Sequence, residues 1–208
     1  MHDLWPWLIL FLLGCFHGIN PGMGWLFAVA LGMQEKSLRA VLGAVLPIGL
    51  GHAASIGIVV AAASLAEPHF PHSEIKFVAA GLLFAFGLYR LVRFRHPRWV
   101  GMRVGFWGLV LWAFIMATGH GAGLMLLPIV TAPSQMSNAG AGMTMMSTPN
   151  AGLLAVIVHT FGYLLTMTIA ALVVYRWLGL SLLRTAWFNL DLLWAAALFV
   201  TGVVMLFV

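Results

Sequence analysis

Apolar segments about 20 residues long recur along the whole chain, and short polar connections separate them. A segment of that length is what a helix needs to cross a lipid bilayer. Hydrophobic residues make up 62% of the chain and charged residues only 7%, whereas an ordinary soluble domain carries about 25% charged residues. We therefore predict an all-α polytopic membrane protein, and this composition excludes an ordinary soluble domain.

Six transmembrane helices are predicted, and they form a single membrane domain over residues 1–208. The first and fourth are longer than a bilayer requires, as expected if each is interrupted. The N-terminal segment has no basic start and is too long for a signal peptide, so we expect it to be retained as the first span. The predicted spans cover residues 4–32, 38–65, 76–94, 104–132, 151–175 and 187–208.

The basic residues determine the predicted orientation. Nine of the ten Lys and Arg residues fall on one side of a six-span arrangement, and only Lys76 falls on the other. Because cytoplasmic loops are enriched in Lys and Arg, we predict a multi-pass inner-membrane protein with both termini outside. These residues form no patch with interleaved aromatics, so we expect no nucleic-acid partner. The nine are Lys36, Arg39, Arg90, Arg93, Arg95, Arg98, Arg103, Arg176 and Arg184.

Two of the predicted spans contain residues that disfavour a continuous helix. Residues 16–25 read FHGINPGMGW, and residues 119–123 read GHGAG. Proline removes a backbone hydrogen bond, and irregular backbone at membrane depth is tolerated only where it is buried in protein or lines a cavity. We therefore predict that the first and fourth helices are broken, which favours a small membrane transporter.

The histidines of the spans repeat in the two halves of the chain. His17 and His52 lie in the first and second spans, and His120 and His159 lie in the fourth and fifth. The separations are 35 residues in the first pair and 39 in the second. Three spans followed by three of like pattern predict an inverted repeat, with one unit at about 4–94 and the other at about 104–208.

These four histidines are the candidate ligands of a site near the middle of the membrane. A single histidine in a span more often bridges helices by a hydrogen bond, but four at similar depth favour a functional site. Neutral imidazole suits Ni, Co, Cu, Zn or Fe, and histidine also suits proton coupling. Asp191 is either an inner-gate carboxylate or an interfacial charge paired with Arg184. Further candidate ligands or supporting residues are Asn20, Met23, Cys15 and Thr160.

The cysteine and the methionines of the sequence bear on a second, sulfur-based kind of metal site. Cys15 is the only cysteine, which excludes an intramolecular disulfide, a Cys-x-x-Cys redox pair and a thiolate cage. The uncharged connection at residues 131–150 is either a flexible or re-entrant loop that happens to be rich in methionine, or a thioether patch that captures Cu(I). Its methionines are Met136, Met143, Met145 and Met146.

The motif HGINPGM at residues 17–23, followed by a basic-flanked turn and by GHAA at residues 51–54, resembles the nickel/cobalt exporter (NicO-type) branch of the LysE transporter superfamily. That family has a His-Gly-x-Glu-Pro-Gly-His start and a Ser-His-Thr on the next helix. The resemblance implies a six- or seven-helix fold with inverted repeats, transport of a divalent transition metal, and His17 and His52 as site residues. Asn20 replaces a favoured carboxylate and Met23 a favoured histidine, which shifts the preference toward a softer ion such as Cu(I).

Three functions follow as hypotheses, and none of them is enzymatic, because no nucleophile–base pair or water-activating site is recognisable. The first is alternating-access transport of Ni, Co or Cu through a site formed by the four histidines. The second is electron transfer by haem bound through bis-histidine pairs. The third is an accessory subunit of a larger membrane complex; a homo-oligomer is also compatible with the sequence. The lipid bilayer and the metal ion are the expected partners.

Overall fold

The structure is a computed structural model that describes residues 4–66, 69, 72–92, 105–130, 149–178 and 183–207. In the last segment, side chains are described from residue 193 onward. The methionine-rich connection, Arg93, Arg95, Arg98 and Arg103 therefore lie outside the described residues. So do the side chains of Arg90, Arg184 and Asp191.

The described residues form helices only, with no strand among them, which confirms the all-α prediction. Short 3-10 turns at Pro21–Met23 and Leu124–Leu126 and a π-helical turn at Val174–Leu178 supplement the α-helices. The α-helices are α1 (Trp5–Ile19), α2 (Trp25–Glu35), α3 (Leu38–Ala66), α4 (His72–Val92), α5 (Phe106–Gly119), α6 (Leu127–Val130), α7 (Pro149–Val173) and α8 (Leu183–Phe207).

Within the described part of the chain, two helices are long and apolar enough to cross a membrane, at Leu38–Ala66 and Asn150–Trp177. The pair Phe106–Gly119 and Leu124–Val130 passes the same test when it is taken together, with a bend of 52° at the break. The helices Trp5–Ile19 and Leu193–Phe207 are apolar but shorter. A membrane protein is therefore plausible, and the count of six spans stays a prediction.

Both predicted interruptions lie where glycine and proline indicated them. In the first break, Asn20 precedes Pro21 and is extended, because a residue before proline disfavours the α conformation. Gly24 then has a φ of 142°, which side-chain-bearing residues rarely adopt, and α2 begins at the next residue. The second break follows Gly119 and includes Gly121, whose φ is 68°.

The helices pack in pairs that are distant in sequence. The most extensive contacts join α1 to α7, α3 to α5, and α4 to α8. Gly14 of α1 lies at His159 and Gly18 at Tyr163 of α7, so these two helices run parallel. In the α3–α5 pair, Gly51 lies at Val110.

The directions of the other pairs follow from their contacts. The Ser55 Oγ to Thr118 Oγ1 hydrogen bond of 2.9 Å lies further along both α3 and α5 than the glycine contact, so these helices are also parallel. Near the start of α4, Lys76 donates to the Leu206 carbonyl at 3.0 Å near the end of α8. The helices α4 and α8 are therefore antiparallel.

Glycine makes the α1–α7 crossing close. A Cβ atom at Gly14 would overlap the carbonyl oxygen of His159, and one at Gly162 of α7 would overlap the carbonyl oxygen of Phe11. Small residues allow helix backbones to approach in this way. Because the contact lies within one turn of His17 and at the backbone of His159, it brings the two histidines together.

We predict that Gly14→Ala destabilises the protein, because the added methyl group meets backbone that no side-chain rotation can move. Overpacking of this kind typically lowers the free energy of unfolding by about 1–3 kcal/mol. Gly57→Ala is the matched control, since a Cβ at Gly57 of α3 meets nothing within 4 Å. Thermal unfolding in detergent should give a lower melting temperature for Gly14→Ala only, and equal melting temperatures would contradict the crossing.

Candidate functional site

Three of the four predicted histidines form a cluster at the centre of the helical packing. The ring centroids of His17 and His159 are 4.9 Å apart, those of His52 and His159 are 5.6 Å apart, and those of His17 and His52 are 5.9 Å apart. They come from α1, α7 and α3, so the site joins residues far apart in sequence. We call His17, His52 and His159 the histidine cluster.

His120 lies beside this cluster and touches it through an aromatic ring. Its imidazole makes an edge contact with Trp194 at 5.4 Å, and Trp194 makes a similar contact with His17 at 4.7 Å. His120 is also close enough to His52 for an electrostatic interaction. All four histidines are at most 1% exposed, so the structure buries each of the predicted ligands in one region.

A hydrogen bond to the preceding turn of the same helix orients the rings of His17 and His120. His17 Nδ1 lies 2.8 Å from the Leu13 carbonyl oxygen, and His120 Nδ1 lies 2.7 Å from that of Met116. A carbonyl oxygen can only accept, so Nδ1 donates and carries the proton in both rings. In a neutral ring, Nε2 then keeps a lone pair, and histidines that bind metals often use a carbonyl in this way to set the tautomer.

Several ring nitrogens of the histidine cluster are buried without a hydrogen-bond partner among the described residues. They are Nε2 of His17, Nε2 of His52 and both nitrogens of His159. His159 lies near the Leu10 carbonyl, but neither of its nitrogens meets the geometry of a hydrogen bond. Buried polar groups are normally paired. The cluster therefore has capacity for a ligand, a water molecule or a proton.

Two aromatic residues that sequence reasoning missed line the histidine cluster. The Tyr163 ring stacks on His52 at 3.8 Å, and Trp194 contacts His17 and also stacks on Phe16 at 5.2 Å. Two sequence signals could have found them. Tyr163 lies one helical turn after His159, and Trp194 lies well inside a predicted span rather than at its end. Aromatic residues with a polar group need a hydrogen-bond partner when they are buried at that depth.

The residues predicted as further ligands or supporting residues lie in different environments. The Asn20 side chain accepts a hydrogen bond from the Gly22 amide at 2.9 Å and so caps the 3-10 turn of the first break. Met23 is 2% exposed in the same break. Cys15 is a free, half-buried thiol, and the Thr160 hydroxyl is buried without a hydrogen-bond partner among the described residues. The Asp191 side chain lies outside the described residues.

Within the described residues, no group of three or more His, Cys, Asp or Glu side chains has the arrangement of a metal site. No protein family, curated protein or solved structure matches the chain. The resemblance to NicO-type transporters therefore stays a prediction carried by residues 17–23 and 51–54 of this sequence. A proposal about the function therefore depends on the geometry of the histidines.

We predict that His17 and His120 are neutral Nδ1–H tautomers, because each Nδ1 faces a carbonyl oxygen of the preceding turn. The measurement is the ¹⁵N NMR spectrum of protein labelled in its histidines, with His17→Ala and His120→Ala used to assign the two signals. Both should carry the proton on Nδ1. An Nε2–H tautomer at either position would contradict the assigned ring orientation.

Proposed function

We propose that this protein is a membrane transporter of a transition metal ion of the nickel, cobalt or copper type, with His17, His52 and His159 as the core of the ion site and His120 beside them. One observation carries the proposal. Three buried imidazoles from three helices lie within 5.9 Å of one another, with ring nitrogens that have no partner among the described residues. In an apolar interior, such groups are costly unless a ligand or a hydrogen-bond partner satisfies them.

The separations of the three rings suit a shared ion, although no group of three or more His, Cys, Asp or Glu side chains in the described part of the chain has the arrangement of a metal site. Imidazole binds metals through a nitrogen at about 2.0–2.1 Å, which places the ring centroids of two ligands on one ion about 5–6 Å apart. The three centroid distances, 4.9, 5.6 and 5.9 Å, lie close to this range.

The helix pairing supports alternating access between two inverted repeats. In a six-span chain, successive spans alternate in direction, so the first and fifth are parallel, the second and fourth are parallel, and the third and sixth are antiparallel. The pairs α1–α7, α3–α5 and α4–α8 have these directions. An inverted repeat relates the first span to the fourth and the fifth to the second, so it relates the α1–α7 pair to the α5–α3 pair. Each of these two pairs contains one broken helix. A site between such repeats opens alternately when one unit rocks against the other.

The alternatives receive less support from the geometry. A bis-histidine haem would need open space beside the glycines that flank the histidines. Gly18 and Gly51 instead lie against the backbone of α7 and α5, although a Cβ at Gly119, beside His120, would meet nothing within 4 Å. An accessory subunit would use its exposed apolar faces, but these faces are equally suited to lipid. Elemental analysis of purified protein identifies haem, which would give iron with a Soret band. If no metal is bound, ion flux into proteoliposomes separates a transporter from an accessory subunit.

We predict that His17→Ala with His159→Ala abolishes ion transport, because the two changes remove the closest pair of imidazoles. The assay is uptake of Ni²⁺, Co²⁺ or Cu⁺ into proteoliposomes. His69→Ala is the matched control, since His69 also bonds a carbonyl four residues back, that of Leu65 at 3.0 Å, but is exposed. Transport should fall at least about tenfold in the double variant, because loss of a residue that merely supports a metal ligand already costs about 10–100-fold. Unchanged transport by a folded double variant would reject the function.

We predict both termini outside the cytoplasm and the connection between α2 and α3 inside it. Alkaline phosphatase, which is active only outside, should be active when it is fused after residue 208 and inactive when it is fused after residue 37. The physical reason is the retention of Lys36, Arg39 and the other loop cations on the cytoplasmic side. The reverse pattern would overturn the orientation, and activity at both sites would overturn the six-span arrangement.

A further inference from the structure

Each of the two helix breaks has a backbone carbonyl that accepts a hydrogen bond from an aromatic side chain of a later helix. In the first break, the Tyr163 hydroxyl of α7 donates to the Met23 carbonyl. In the second break, Trp194 Nε1 of α8 donates to the His120 carbonyl at 2.9 Å. Tyr163 is 0% exposed and Trp194 1% exposed. A carbonyl in an apolar interior needs a donor, so these two side chains help to hold the breaks in their present form.

The same two rings contact histidines of other helices. Tyr163 stacks on His52 of α3 with the ring planes 13° apart. Trp194 meets His17 of α1 at close to a right angle, 86° between the ring planes. The first break is therefore connected to His52 through one rigid ring, and the second break is connected to His17 through another.

A nearby aromatic donor lacks this connection and makes the contrast clear. Trp25 Nε1 donates to the Ile19 carbonyl at 2.9 Å, so it bridges two parts of the same interrupted helix. Tyr163 and Trp194 instead reach across the packing from α7 and α8. Closely packed interiors change between discrete arrangements rather than deforming continuously. We expect a rotation of His52 or His17 to displace the ring against it and to disturb that ring's hydrogen bond to the break.

We infer that Tyr163 and Trp194 are positioning residues that couple the histidine cluster to the two helix breaks, so that reorientation of the histidines on ion binding releases or shifts both breaks. The inference rests on the proposed function for the identity of the ligand. The hydrogen bonds and the ring contacts do not depend on the proposed function, and they can be tested without an ion. In transport, this coupling is what would link occupancy of the site to the movement of broken helices.

The first test is hydrogen–deuterium exchange in lipid nanodiscs with Tyr163→Phe and Trp194→Phe. Each substitution keeps an aromatic ring and removes one donor. We expect exchange about threefold faster at residues 20–28 in Tyr163→Phe and at residues 119–127 in Trp194→Phe, from the average strength of interhelical hydrogen bonds in membranes. The controls are Tyr89→Phe and Trp107→Phe, whose side chains are 53% and 77% exposed. Exchange at both breaks equal to that of the controls would overturn the inference.

The second test uses the unmodified protein with Ni²⁺, Co²⁺ or Cu⁺ added as the probe. An ion that binds should change exchange at both breaks. In Tyr163→Phe, the change at residues 20–28 should disappear while ion affinity stays within about threefold of the wild type. If Tyr163→Phe lost as much ion affinity as His17→Ala, the coupling role would be overturned. It would also be overturned if the wild type bound ion without a change in exchange at the breaks. If no ion binds, the proposed function fails, and the first test still decides whether Tyr163 and Trp194 hold the two breaks.

Discussion

The close approach of α1 to α7 is the contact on which the candidate site depends. Gly14 and Gly18 let the α1 backbone lie against the backbone of residues 159–163. This contact places His17 beside His159 at 4.9 Å, and it brings Tyr163 within reach of the Met23 carbonyl. A larger side chain at the crossing would separate the helices, so the glycine spacing and the histidine spacing act together. The packing of these two helices therefore brings together two of the three residues of the histidine cluster.

The α3–α5 pair is also closely packed, and a side-chain hydrogen bond joins its two helices in addition. Gly51 of α3 lies against the Val110 carbonyl of α5, and a hydroxyl pair then ties the same two helices together at Ser55 and Thr118. Thr118 also donates to the Phe114 carbonyl of the preceding turn at 2.8 Å. The crossing that carries His52 and His120 is thus held by one side-chain hydrogen bond as well as by close packing.

Breaks in buried helices leave backbone groups that need hydrogen-bond partners within the protein. In this protein, side chains close to the first break and side chains of other helices provide hydrogen bonds at the breaks. Asn20 caps the first turn from within, and Trp25 reaches back to the Ile19 carbonyl. Tyr163 and Trp194 supply the donors from other helices. Two of these four residues also contact the histidines, which is why the breaks and the candidate site form one connected region and not two separate features.

The sequence by itself determined the helical class, the places of the two breaks and the identity of the four buried histidines, because hydropathy, proline and glycine act locally. It also indicated Asn20 and Met23 as residues of the first break, although the capping bond of Asn20 became clear only with the fold. Only the tertiary structure decided that His17, His52 and His159 cluster while His120 lies against Trp194, and that Tyr163 and Trp194 take part. The physical reason is that contacts between α1, α3, α7 and α8 depend on helix direction, rotation and crossing distance, which no local pattern encodes.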